Sequence, residues 1–232
     1  MLTLRRASER GHDRLDWLNS YHTFSFDEYH DTAHMGVSNL RVINDDTVAP
    51  GGGFVTHDHS NMEIVSYVLS GRLEHKDSMG NGSIIRPGDV QRLSAGAGVQ
   101  HSEFNPSATE SVHFLQIWLQ PSKMGVKPDY EKKHFSKDQR RGKLCLLVSP
   151  DGREGSISTH QNALLYGSLL QAGETVEYNL NDDRHAWVQV ARGSITVNSN
   201  VLKEGDGAHI EKESVIRFEG QDHADTLLFD LP

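Results

Sequence analysis

Short β-rich runs, each closed by glycine, proline, asparagine or aspartate, follow one another along almost the whole chain, and this spacing limits the fold more than any other feature. The runs of the first half span residues 39–44, 63–69, 72–75, 83–86, 90–93 and 112–119. Strands separated by such turn residues are typical of a β-sandwich or barrel. Because no long run with a period of 3.6 residues competes, we predict an all-β fold with little helix, limited to a turn near residues 129–134.

The second half of the chain repeats the first in outline. Residues 65–75 (VSYVLSGRLEH) align with residues 187–197 (WVQVARGSITV), and the glycine turn at Gly88 has a counterpart at Gly205. Residues 123–143, which are rich in charged residues, are interpreted as the connection between the halves. We therefore predict two related barrels in tandem, with domains over residues 1–135 and 136–232. Chance likeness between glycine-turned hairpins, which occur in any all-β protein, is the alternative.

Two pairs of ionisable side chains have the spacing of a strand. His57 and His59 follow a run of three glycines, and His101 and Glu103 follow Gly96-Ala-Gly98. Alternate residues of a strand project from one face, so both members of a pair can reach one ion. One pair is a weak signal, but two pairs would supply three imidazole nitrogens and a carboxylate oxygen from two strands. Such a set suits iron, nickel, manganese, cobalt, copper or zinc, so we predict a site for one divalent transition metal.

These segments resemble the two cupin motifs, and they resemble the pirin family more closely still. The segments are residues 21–26 (YHTFSF), 40–44 (LRVIN), 57–59 (HDH), 73–81 (LEHKDSMGN) and 94–105 (SAGAGVQHSEFN). Two departures from the general cupin pattern, Gly96 in place of a proline and the late position of Gly71, are similar to pirins. The second half resembles the pirin C-terminal domain in order and length. The resemblance implies two cupin barrels of the double-stranded β-helix, or jelly-roll, type.

The carboxylate ligand has two candidates. In many cupins the first motif supplies it, which would be Glu63 here, whereas the pirin resemblance assigns Glu103. Both glutamates share a face with their neighbouring histidines, so strand parity does not choose between them. We expect Glu103 to be the metal ligand and the proton acceptor in catalysis. Glu63 is then expected near the site or in a structural polar contact.

The second barrel keeps none of the three histidines. Counting from the matched glycines places Asn179 at the position of His57, Asn181 at that of His59 and Phe218 at that of His101. None of these three is a strong metal ligand. We therefore predict that the C-terminal barrel is a degenerate cupin with a structural role.

The resemblance also implies a reaction. Bacterial pirins look like quercetin 2,3-dioxygenases, in which a metal with open positions binds a flavonol and O₂ and the heterocycle opens with loss of carbon monoxide. On this hypothesis the partners are a small aromatic substrate and O₂, and iron is the first choice of metal. The alternative is an iron-binding, redox-sensing regulatory protein that works through a protein partner. A cupin isomerase would use the same ligands.

Composition excludes other classes of function. The formal net charge of −9 argues against direct binding of nucleic acid. No stretch approaches the roughly 20 apolar residues of a membrane span, and no apolar run of a secretory signal follows the basic N-terminus. A single cysteine, Cys145, allows no internal disulfide. We therefore expect the protein in the cytoplasm.

Several further residues have two interpretations, as part of a ligand cavity or as structural groups. The histidines are expected to be hydrogen-bonded structural or surface groups, and the large side chains to be core. These residues are His22, His75, His113, Phe54, Tyr67, Met79 and Trp118.

Overall fold

The computed structural model describes every residue from Met1 to Pro232, and almost all of its regular structure is β. The first strands are β1 (Leu2–Arg5), β2 (Gly11–Arg14), β3 (Leu18–His22), β4 (Leu40–Val48), β5 (Gly53–His59), β6 (Glu63–Ser70), β7 (Leu73–Asp77), β8 (Gly82–Ile85), β9 (Asp89–Ser94), β10 (Val99–Phe104), β11 (Val112–Leu119) and β12 (Asp129–His134). The others are β13 (Cys145–Ser149), β14 (Ile157–Ser158), β15 (Leu164–Leu170), β16 (Thr175–Asn179), β17 (His185–Arg192), β18 (Ser194–Val197), β19 (Asn200–Lys203), β20 (Gly207–Glu211), β21 (Val215–Gly220) and β22 (Ala224–Leu231).

Helix is confined to one α-helical turn, α1 (Lys137–Arg140), and two 3-10 turns, Ala7–Glu9 and Arg153–Gly155. This confirms the predicted all-β class with little helix. None of these helices has the length and apolar character required to cross a membrane.

The chain forms two compact units that are not continuous in sequence. The N-terminal unit consists of Gly11–His134 and Thr159–Gln161, and the C-terminal unit consists of Met1–Arg10, Phe135–Ser158 and Asn162–Pro232. The predicted boundary after residue 135 places residues 1–10 in the first domain. In the structure β1 instead pairs antiparallel with β20, from Leu2 opposite Ile210 to Arg5 opposite Gly207. This backbone pairing is why the first residues belong to the C-terminal unit.

The N-terminal unit is a barrel made of two sheets. A seven-stranded sheet has the order β12-β9-β6-β11-β4-β3-β2, and a four-stranded sheet has the order β5-β10-β7-β8. Apolar side chains from both sheets pack together between them, including Val68 and Phe114 from the larger sheet and Leu73 and Ile85 from the smaller. Burial of such side chains is the main favourable contribution to folding.

The C-terminal unit repeats the central part of this topology. Its seven-stranded sheet has the order β1-β20-β17-β22-β15-β13-β14 and its four-stranded sheet the order β16-β21-β18-β19. The strands β20-β17-β22-β15 and β16-β21-β18-β19 correspond to β9-β6-β11-β4 and β5-β10-β7-β8. The edges differ, because β14 pairs with β13 in parallel whereas β2 pairs with β3 antiparallel. The aligned glycines of the two hairpins, Gly71 and Gly193, have φ of 75° and 72°, a conformation that glycine adopts without strain. The predicted tandem of related barrels is therefore confirmed.

The expected helical turn near residues 129–134 is wrong. These residues form β12, which pairs antiparallel with β9 from Asp129 opposite Ser94 to His134 opposite Asp89. The buried Arg92 guanidinium of β9 donates to the Asp129 carboxylate at 2.8 Å, and Tyr130 packs on a buried apolar cluster. The charged residues that suggested a connection between the domains include those on the exposed side of this edge strand.

Candidate metal centre

Strands β5 and β10 carry the predicted ligands and pair directly. In their antiparallel register His101 lies opposite His57, and Val99 lies opposite His59. The register then shifts, so that Glu103 lies opposite Phe54. This irregularity is a β-bulge, which bends a strand and turns its side chains. The two sequence segments are therefore adjacent in the four-stranded sheet.

Three of the four predicted ligands converge on one point. One ring nitrogen from each of His57, His59 and His101 lies within 4.8 Å of the other two. The ring centroids are 4.6 Å apart for His57 and His101, 4.8 Å for His57 and His59, and 4.9 Å for His59 and His101. Rings this close at steep mutual angles can direct nitrogens at a common ion.

The hydrogen bonding of His101 and His57 fits a metal. His101 is 1% exposed and neither of its ring nitrogens has a hydrogen-bond partner in the protein, which is costly for a buried polar group. His57 Nδ1 donates to the Val55 carbonyl oxygen at 2.8 Å, so Nε2 is the nitrogen of this ring that can bind a metal. A cation bound by the His101 and His57 nitrogens would provide the partner that the protein does not.

The Glu103 carboxylate is held by amide donors within the barrel. Gln91 Nε2 donates to Glu103 Oε1 at 3.1 Å, and Gln116 Nε2 donates to Oε2. The Ser66 hydroxyl lies 3.1 Å from Oε1 and 2.8 Å from Gln116 Oε1, between which it shares its one hydrogen. Because Glu103 is 1% exposed, these donors fix the direction of its oxygens.

The alternative carboxylate, Glu63, lies elsewhere. Its Oε2 accepts from Ser94 Oγ at 2.7 Å and from Thr159 Oγ1 at 2.8 Å. Glu63 belongs to no group of clustered ligand atoms, whereas Glu103 belongs to one with His101 and His75. Its place agrees with a structural polar contact, as the sequence analysis allowed.

His75 joins the centre although it was expected to be structural. Its ring, that of His101 and the Glu103 carboxylate each offer one atom within 4.8 Å of the other two. His75 is fully buried, its Nε2 lies 3.1 Å from Asp77 Oδ2, and its Nδ1 has no partner. Strand β7 pairs with β10 so that His75 lies opposite Glu103. The sequence carries no local signal for this contact, because it depends on the register of β7 against β10.

A cavity of about 760 Å³ opens in front of His57, His59 and Glu103, which form part of its lining. Its aromatic walls are Trp17, Phe26, Phe54 and Trp118, and its polar lining includes Asn44, Asp46, His57, His59, Glu103 and Gln116. The Trp118 ring meets that of His59 edge to face at 5.0 Å. His22 also lines the cavity, whereas His113, Tyr67 and Met79 do not. A volume of this size is within the usual range of small-molecule sites, roughly 300–1,000 Å³.

Asp46 is a cavity residue that the sequence analysis missed. It is 3% exposed, and the Ser20 hydroxyl donates to its Oδ1. Burial, with a smaller effect of the charges of Asp45 and Glu103, raises the pKa of Asp46 to about 7. The alternation of Asn44 and Asp46 along the largely buried strand β4 was the available signal.

We expect the metal-free protein to lose stability as the pH falls below 6.5. Burial, together with the neighbouring imidazoles, lowers the pKa of His101 from 6.5 to about 3 and that of His59 to about 4. Between these values the unfolded chain binds protons that the folded protein does not, so the free energy of unfolding decreases with falling pH and is retained above 6.5. Urea unfolding of metal-free protein across this range measures the slope.

Two variants test whether particular titratable groups cause this dependence of the unfolding free energy on pH. His59→Gln removes one such group, so the slope should become shallower. Asp46 acts in the opposite direction, because its folded form keeps a proton between pH 3.8 and about 7 that the unfolded chain releases. Asp46→Asn should therefore steepen the slope. An unchanged slope in His59→Gln would contradict the prediction.

Comparison with known protein families gives two matches. A family model described as Pirin matches residues 3–119, and one described as Quercetinase C-terminal cupin domain matches residues 146–231. Both halves of the chain are therefore similar to cupins of the kind expected from the sequence.

Similar proteins extend over the whole chain. A protein of Escherichia coli strain K12 named quercetin 2,3-dioxygenase is 46% identical over 232 residues, covering 100% of this chain and 99% of the relative. A Caulobacter vibrioides protein named pirin-like protein is 39% identical, with 92% of each covered. The crystal structure of the E. coli bacterial pirin YhhW in complex with nickel(II) has a TM-score of 0.95 and 44% identity, covering 100% of this chain and 99% of that one.

Proposed function

This chain belongs to the pirin family, and from that premise we propose that it is a metal-dependent dioxygenase that opens a flavonol such as quercetin with O₂. We propose His57, His59, His101 and Glu103 as the ligands of one divalent transition metal, with iron as the first choice and nickel the ion found with a relative. The observation that carries the proposal is the convergence of three imidazoles at a cavity large enough for an aromatic substrate.

The cavity supports an aromatic substrate. Trp17 meets Phe54 edge to face at 5.1 Å, and Phe26 meets Trp118 edge to face at 5.4 Å, so two aromatic pairs bound the space in front of the histidines. Flat aromatic molecules pack well on such faces and edges.

The bound metal would supply Lewis acidity and the open positions at which substrate and O₂ meet. The chain's own contribution is to place a base beside them. Gln91 and Gln116 hold the Glu103 carboxylate as an acceptor facing His101, so it can take the proton of an acidic hydroxyl group on the substrate. Loss of that proton makes the substrate electron-rich and reactive toward O₂.

The test is aerobic incubation of metal-loaded protein with quercetin. We expect the flavonol absorbance to disappear with release of carbon monoxide, at a rate above that of the same metal free in solution. Protein loaded separately with iron, nickel, manganese, cobalt, copper and zinc identifies the competent ion, because all of these accept the ligand set.

The variant Glu103→Gln tests the role of this carboxylate, because it keeps the shape of the side chain but removes its charge and basicity. We expect this variant to bind quercetin and to lose most turnover. Absence of turnover above free metal for every ion in the unmodified protein would remove the dioxygenase proposal.

A further inference from the structure

A second cluster of ligand-type side chains lies in the C-terminal unit. His185, His209 and Glu211 each offer one ligand atom, and these three atoms lie within 4.8 Å of one another. His185 Nδ1 is 3.1 Å from His209 Nε2 and 3.8 Å from Glu211 Oε2. The two imidazole rings are stacked, with centroids 5.3 Å apart.

The register of two central strands brings these residues together. Strands β17 and β20 pair antiparallel with His185 opposite Glu211, and His209 lies two residues before Glu211 on the same face. The intervening Ala186 and Ile210 point into the barrel core. The cluster therefore lies on the outer face of the seven-stranded sheet, where it is partly exposed: side-chain exposure is 39% for His185 and 29% for Glu211.

This cluster is not the counterpart of the centre in the N-terminal unit. The counterparts of β5 and β10 are β16 and β21. Counting from the glycines predicted Phe218 at the position of His101, but Phe218 lies opposite Val197, the residue that aligns with His75, so the structure places it at the position of Glu103. Phe218 is 1% exposed and packs in the core. The second cluster uses other strands, the other sheet and the opposite face, so its properties are independent of the proposed dioxygenase function.

The distances suit coordination. Ligand atoms around a tetrahedral zinc ion with bonds near 2.0–2.1 Å are about 3.3 Å apart. The distances from His185 Nδ1 to His209 Nε2, 3.1 Å, and to Glu211 Oε2, 3.8 Å, lie on either side of that value. Two imidazole nitrogens 3.1 Å apart hold only one proton between them, and an ion that displaced this proton would bind both lone pairs. Because both strands lie inside the sheet, their backbone pairing holds the groups in place before an ion arrives.

We propose that His185, His209 and Glu211 form a second metal site, which takes a divalent ion of the zinc class and leaves one coordination position open to solvent. Two nitrogens and one carboxylate oxygen are ligands that Zn²⁺ accepts.

The experiment measures Zn²⁺ binding in a His101→Ala background, so that the N-terminal centre is weakened first. Equilibrium dialysis followed by elemental analysis should find Zn²⁺ bound to His101→Ala. It should find that this Zn²⁺ is lost in His101→Ala/His209→Ala but kept in His101→Ala/His223→Ala, where the control removes an exposed histidine of the same unit. His101→Ala/Glu211→Gln, a conservative change at a partly exposed site, should bind Zn²⁺ more weakly than the parent.

A second measurement locates the ion. Paramagnetic Co²⁺ added to the His101→Ala protein should broaden the imidazole NMR signals of His185 and His209 and leave those of His223 sharp. Equal Zn²⁺ binding with and without His209, or unperturbed signals of His185 and His209, would overturn the proposal. Neither result would bear on quercetin turnover, which is measured on the protein with His101 intact.

Discussion

Replacing His101 with alanine should remove most of the metal bound in the N-terminal unit and reduce quercetin turnover to the rate of free metal. His101 is the most buried of the three converging imidazoles, and it is shared between the His57, His59 group and the His75, Glu103 group. Loss of a supporting residue around a metal typically lowers affinity by about 10–100-fold, and loss of a ligand at the centre should cost more.

The measurement is elemental analysis of purified His101→Ala beside His160→Ala, with turnover determined on the same samples. His160 is an exposed histidine whose hydrogen bonds here run through its backbone, so its removal should leave the metal in place. Circular dichroism of both variants controls for folding. If both keep a full equivalent in the N-terminal unit, the assignment of His101 as a ligand is wrong.

Replacing Phe218 with alanine should lower the free energy of unfolding of the C-terminal unit by about 3–5 kcal/mol, the usual cost of removing a buried phenylalanine. By strand register Phe218 stands where Glu103 stands in the other barrel, but it is 1% exposed and packs with Ile195, Val197 and Ile216. The cost combines lost apolar burial with the cavity left behind. The same position therefore contributes packing in the C-terminal barrel, whereas in the N-terminal barrel it carries a side chain of the candidate metal centre.

Urea unfolding in a Trp17→Phe/Trp118→Phe background measures this effect, because Trp187 is then the only tryptophan and reports on the C-terminal unit. Phe218→Leu keeps most of the volume and should cost less than about 1.5 kcal/mol. Metal content of Phe218→Ala below its transition should be unchanged. A midpoint equal to that of the parent would show that this position does not stabilise the unit.

The repeated hairpins were predictable because their information is local. A glycine at positive φ, as at Gly71 and Gly193, and alternating apolar residues on either side are readable from a few neighbouring residues. The erroneous turn at residues 129–134 shows the limit of that information. Strand β12 is an edge strand with a largely polar composition, and only its backbone pairing with β9 makes it a strand.

The spacing of His57 with His59 and of His101 with Glu103 determined by itself which side chains share a face, since the period of a strand is a local property. The tertiary structure decided which strands meet. It paired β5 with β10 and brought His75 opposite Glu103. It placed Glu63 with Ser94 and Thr159. It also assembled the cavity walls from Trp17, Phe54 and Trp118. These contacts join residues far apart in the chain, and they depend on sheet order and register, which no single strand encodes.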